Sequence, residues 1–383
     1  MFKAVDRRVV SLGLAGLFVN GWSRADWPLF RGDPAQKGTA DKSLGSALKI
    51  RWKVEGMESI DSTAAIVGGM VAVGGGNGWL QCFELASGKS VWKYKAAADK
   101  PSGKKNAGDR VIPFKAPVTW DGQTVFIGDV EGNFHAVDGE NGKKLWIFTA
   151  GGEISGGANI SGKHVLFGGQ DDTLRCLDRN GKEVWNFKTD GPFYGSVAVA
   201  GGKTFAAGCD STLHVIDIAT GKEESKIDLG GQTGATVAVD GDQLFIGTMN
   251  REFLRVDWRL REIAWKFTAE NRPQEFFSSA AISGNWVVVG SRDSRIHAFD
   301  RKTGHSHWSF LTKGKVDASP IIVAKSLVYA ASLDSFLYSL DLETGKNLGS
   351  IELDDGISAS PAISDGKLII GTQKGTLYCL ESA

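Results

Sequence analysis

Apolar and polar positions alternate along most of this chain in runs of about five or six residues, separated by short clusters of Gly, Ser, Asn and Asp. The stretch "NGKKLWIF" at 141–148 is typical: a tight-turn signal, then Leu145, Trp146 and Phe148. Gly accepts φ > 0 without steric cost, so Asn-Gly before such an alternation reads as a turn into a strand. "SGKSVWKY" at 87–94 and "NGKEVWNF" at 180–187 repeat the pattern. The pattern predicts an all-β chain.

The repeat has a ruler. An acidic residue closes the strand before each such turn: Glu84, Asp138, Asp178, Asp217, Asp257, Asp300, Asp341 and Glu381. The spacings are 54, 40, 39, 40, 43, 41 and 40, and a Gly or Ala stands ten residues before every one. Units near 40 residues with several short strands indicate a β-propeller. Within 155–187 four strands can be read: "SGGANI", "HVLFGG", "TLRCLD" and "VWNFKT". The first strand is small in nearly every copy, as crowding around a central axis requires.

Seven units carry all four strands. The eighth, 357–383, stops after its third, and "ALKIRWKVEG" at 47–56 supplies a fourth, with Trp52 in the Trp position. The expectation is an eight-bladed propeller of four-stranded antiparallel blades, closed by an N-terminal strand that completes the last blade and removes an open sheet edge. The Trp should fill the wedge between neighbouring blades. Ser225 and Gly349 replace it in blades 4 and 7, and blade 5 writes "WRLREIAW" without Gly-Lys. Blades 4, 5 and 7 should therefore be the least regular.

Composition adds limits. Hydrophobic residues make up 42%, charged residues 23%, and formal net charge is zero, which leaves no electrostatic footprint for nucleic acid. Lys3, Arg7 and Arg8 precede the apolar run 9–19, and "SRA" ends at Ala25. This is a signal-peptide pattern for residues 1–25, and it predicts export to the periplasm or beyond, by the general or the twin-Arg route. No other stretch is apolar enough to span a bilayer. Residues 26–46 show no strand period and should form an arm lying on the propeller. Residues 97–112 are an insertion between blades 1 and 2, rich in Lys and Asp.

The "TGK/NGK-x-x-W" turns in eight units resemble the PQQ-like, quinoprotein-type β-propeller repeats over roughly 47–383, and "DWPLFRGDPAQKGTA" at 26–40 resembles the mature start of secreted proteins built on them. That resemblance implies one of two functions. Some members are PQQ- and calcium-dependent alcohol or sugar dehydrogenases. Others, the BamB-like subgroup, bind no quinone and serve as scaffolds. Many of the dehydrogenases carry an adjacent Cys pair, and some a haem-attachment CxxCH; here Cys82, Cys176, Cys209 and Cys379 are isolated. No calcium-loop, zinc or nucleophile-elbow spacing is present. The reading is a monomeric scaffold with a protein or peptide partner and no cofactor or metal; the alternative is a quinoprotein dehydrogenase.

The residues just ahead of each first strand should ring one mouth of the channel. Asp61, Lys115, Glu153, Tyr194, Glu275, Phe276 and Asp317 are the candidate partner-binding residues, with Gln232 and Asp355 beside them. Acids would attract a basic partner, and Tyr194 and Phe276 would anchor it.

Overall fold

A computed structural model describes residues 26–41, 44–96, 111–270 and 273–383. The predicted signal peptide and residues 97–110 of the insertion lie outside the described residues. Every described element of regular structure is a strand, and eight four-stranded antiparallel sheets follow one another around an axis. Blade 1 comprises Ala65–Val67, Met70–Gly74, Trp79–Glu84 and Ser90–Lys95, running from the axis outward. The ring closes as expected: Leu48–Val54 pairs with Leu377–Ser382 as the outermost strand of blade 8.

The recurring acid caps the turn that follows it. Asp138 Oδ1 accepts the N–H groups of Glu140 and Asn141, and Asp300 Oδ1 those of Lys302 and Thr303. The Gly in that turn faces the Trp of the preceding blade. Gly142 has φ 74°, and a Cβ there would stand 2.8 Å from the Trp92 ring. The Trp92 indole N–H donates to Gly139 O of the same turn at 3.0 Å. Trp52, Trp146, Trp185, Trp265 and Trp308 repeat the arrangement on the next blade. The Trp of one blade and the Gly immediately ahead of the Lys-x-x-Trp of the next are thus two halves of one joint between blades.

Blades 4, 5 and 7 keep the same strand pairing and the same single-residue register shift beside the outermost strand as the others. The departure is confined to two junctions. Where blade 4 has Ser225, the turn of blade 5 has Arg261 at φ 59° in place of Gly, and Trp258 from that turn packs on Phe205 at 5.3 Å. Where blade 7 has Gly349, blade 8 has no turn at all. There the chain leading to the closing strand fills the wedge: a Cβ on Gly349 would meet Ser46 O at 2.6 Å, and Tyr329 Oη donates to Gly45 O at 2.7 Å.

The arm does more than lie on the ring. Its carbonyls cap the inner strands one after another: Trp27 O accepts from Ile66, Pro28 O from Trp120, Pro34 O from Val199, Ala35 O from Val239, Lys37 O from Ile282 and Gly38 O from Ile322. In blade 3 Ile160 uses the Asn159 side chain, which itself donates to Pro34 O. Thr39–Ala40 then adds as a parallel strand to Ile321–Val323. Arg31, 1% exposed, enters the channel and donates to Ser319 O, Ala280 O and Pro320 O. Burial pulls its pKa down to about 9, against the opposing pull of Asp33, so it stays charged at neutral pH. One end of the channel is sealed by the chain itself.

Candidate functional site

The open end is set by two marks on each unit. The Gly or Ala ten residues before the acid is a seat for a large apolar residue of the segment entering the next blade. A Cβ on Gly74 would stand 2.6 Å from Phe114, and on Gly247, 2.3 Å from Phe276. Ile60, Ile154, Phe193 and Val316 sit likewise on Gly371, Gly128, Gly168 and Gly290. Burying that residue turns the next one toward the axis. The rim of the mouth is therefore Asp61, Lys115, Ser155, Tyr194, Gly234, Phe277, Asp317 and Ser358, all of which line one cup.

This register corrects part of the expected ring. Asp61, Lys115, Tyr194 and Asp317 stand on the rim. Phe276 does not; it is 1% exposed and packs against Phe253, and its neighbour Phe277 faces the cup. Glu153 and Glu275 are half-buried and lie outside the cup lining, as do Gln232 and Asp355. The charges on the rim are also less bare than their sequence suggests. Asp317 takes a bidentate ion pair from Arg292 at 2.8 and 3.0 Å, and the guanidinium of Arg292 lies 3.8 Å from the centre of the Phe277 ring. Arg292 sits in a turn between strands, and nothing in the repeat marked it. Asp61 accepts from Ser358 Oγ at 2.6 Å. Tyr194 is 39% exposed, and Lys115 is exposed.

Below the rim runs a belt of hydroxyls. Ser196, Thr236, Ser279, Ser319, Ser360 and Thr63 each accept the backbone N–H of the preceding blade, at 2.8–3.3 Å. The belt is open at blades 2 and 3, where Pro117 and Gly157 hold the position. By composition alone these positions stand out only as small. A hydroxyl recurring 21 or 22 residues before the acid was the available signal. The cup encloses about 160 Å³, and Phe30 of the arm is among its lining residues.

Outside the cup the same face is acidic. In the described connections that join outermost strands to innermost strands, and second strands to third strands, acidic residues outnumber basic ones about threefold. Three of these acids hold buried imidazoles: His135 on Asp129 at 2.8 Å, His214 on Asp210 at 2.7 Å and His297 on Asp293 at 2.9 Å. His214 also meets Glu223 at 2.6 Å through its other nitrogen. Burial of the ring works against its charge, but the hydrogen bonds to both carboxylates outweigh it and raise its pKa. Cys82, Cys176 and Cys379 are buried and unpaired, and burial pushes each thiol up to about 12. Among the described residues no cluster of three His, Cys, Asp or Glu side chains could hold a metal ion, and no helix is long and apolar enough to cross a membrane.

These features define an eight-bladed propeller with one sealed and one open end. The family described as outer membrane protein assembly factor BamB matches residues 47–153, 76–196 and 130–224. BamB from Moraxella catarrhalis superposes with a TM-score of 0.71 at 17% identity, over 88% of this chain and 98% of that one. Quinohemoprotein alcohol dehydrogenase from Comamonas testosteroni superposes with a TM-score of 0.76 at 13% identity, over 94% of this chain and 81% of that one. In sequence the enzyme of that name from the same organism is 24% identical over 152 residues, which are 38% of this chain and only 21% of the enzyme. The chain is a PQQ-like β-propeller.

Proposed function

We propose that this propeller is an exported, non-catalytic protein-binding module that receives a basic partner on its open, acidic mouth face. The acidic excess of that face, in a chain whose net charge is zero, is the observation that carries the reading. Fields of like sign around one opening add, speed encounter with a basic surface and make its rate salt-dependent. Tyr194 and Phe277 supply aromatic contact area at the centre, and Arg292 holds Phe277 and Asp317 in place. The BamB-like sequence match is consistent with a protein partner.

The dehydrogenase alternative draws on the alcohol dehydrogenase similarity. Small-molecule sites occupy about 300–1,000 Å³. A cup of about 160 Å³ with Phe30 in its lining does not fit a fused-ring quinone with calcium, so no reaction step is derived through that cofactor.

The test is capture of proteins from the native cell envelope. The wild type is compared at low and high salt with a variant carrying Asp61→Asn, Tyr194→Ala and Phe277→Ala. Loss of specific captured proteins in the variant and at high salt, with an unchanged melting temperature, supports the reading. Unchanged capture sinks it. An absorbance scan with added quinone and calcium tests the alternative: a bound-quinone spectrum would favour the enzyme.

A further inference from the structure

Three of the six histidines, His135, His214 and His297, are buried, and each has a ring nitrogen on an aspartate. His305 and His307 are different. Both are exposed, and no ring nitrogen of either makes a hydrogen bond or ion pair among the described residues. Their four ring nitrogens are open to a ligand.

Both stand on blade 6, at two places where that blade departs from its neighbours. In blades 1, 2, 3, 4 and 7 the residue after the turn Gly is a Lys: Lys89, Lys143, Lys182, Lys222 and Lys346. Its carbonyl accepts the N–H of the capping acid, and His305 makes that same backbone bond with Asp300. The second departure is in the outermost strand, Ser306–Leu311. His307 is the extra residue at its register shift, between Ser306 opposite Phe299 and Trp308 opposite Ala298. In blades 1, 2, 3 and 7 that extra residue is Val91, Leu145, Val184 and Leu348.

An extra residue bends a strand and re-aims its side chain. Here it brings two imidazoles together, with ring centres 5.6 Å apart and planes at 88°. Two imidazoles bound to one metal ion through nitrogens at about 2.0–2.1 Å have ring centres about 4.5–5 Å apart. Rotation of exposed side chains closes that difference easily. His307 also rests on Trp286, ring centres 4.5 Å apart, and Trp286 packs on the apolar core, so one side of the pair is braced.

We propose that His305 and His307 form a surface site for one divalent late transition-metal ion, copper(II) in preference to nickel(II). Imidazole suits both ions, and copper(II) stands highest in the affinity order of the first-row divalent metals. Two ring nitrogens fill two coordination positions and leave the others to water. Magnesium and calcium, which take oxygen ligands, should not compete. The pair lies at the arm-face edge of blade 6, away from the mouth, and stands or falls independently of the proposed function.

Copper(II) titrated into the full chain, purified without an affinity tag, tests this by calorimetry and electron paramagnetic resonance. One equivalent should bind with a dissociation constant of about 10 μM. The resonance spectrum should show two directly coordinated nitrogens. His305→Asn and His307→Asn should each weaken binding about tenfold or more, and together abolish it, at an unchanged melting temperature. His164→Asn, at the remaining histidine, should change nothing. Three results each overturn the proposal: no copper bound with two nitrogens at micromolar protein, the same signal in the double variant, or a signal that depends on only one of the two histidines.

Discussion

The two ends of one channel are built from the same eight inner strands and finished in opposite ways. At the arm end, backbone meets backbone: carbonyls of residues 27–38 cap the strand amides, and Arg31 reaches inward to three more carbonyls. At the mouth, side chains do the joining, through hydroxyls that each accept one N–H from the neighbouring blade. A hydroxyl that accepts one bond keeps a hydrogen to give, so the mouth stays a polar, open surface while the arm end is closed. The difference separates what holds the ring together from what it presents to a partner.

That separation can be broken most severely from the arm. Deleting 26–46 should prevent folding, because it uncaps the inner strands and removes buried Trp27, Leu29, Arg31 and Leu44. Circular dichroism of the truncated chain would check it; a native-like cooperative melt would mean the arm is dispensable. Trp92→Ala acts on the blade joints instead and should cost about 3–5 kcal/mol. Gly142→Ala, at φ 74° and against that same ring, should cost about 1–3 kcal/mol. In the double variant the new methyl gains the space the indole leaves, so its cost should fall short of the sum, by chemical denaturation. Strict additivity would separate the two halves of the joint.

A smaller effect belongs to pH. The raised pKa of His214 means its two ion pairs stabilise the fold fully below the ordinary histidine pKa of about 6.5, and the contribution is lost as pH rises through the folded value. Melting temperatures taken from pH 6 to pH 9 should fall more steeply in the wild type than in His214→Asn. Parallel curves would mean that the imidazole is neutral. Smallest of all, Tyr194→Ala and Phe277→Ala should move stability by less than about 1 kcal/mol, since neither side chain is fully buried.

The repeat was legible because each mark has a local physical cause: the acid caps a turn, the Gly sits under a Trp or an apolar residue, and the Trp fills a wedge. The joint between Trp and Gly also explains both gaps in the pattern, since blade 4 loses its Trp where blade 5 loses its Gly. The capping role of the arm was not legible. It occurs once, and it acts through carbonyls that every residue possesses. Phe276 and Phe277 show the limit for the site. Both are large and aromatic, and only the seat on Gly247 decides which is buried. A large apolar residue 24 or 25 residues before most of the acids would have set that register from sequence.

On the proposed function, the mouth and not the rest of the ring meets the principal partner. A photo-crosslinking amino acid placed at Tyr194, and separately at exposed Lys163 on the opposite face, tests it in the intact cell envelope. A discrete cross-linked species should form from position 194, weakened by added salt, and none from position 163. Adducts from 163 with none from 194 would contradict it.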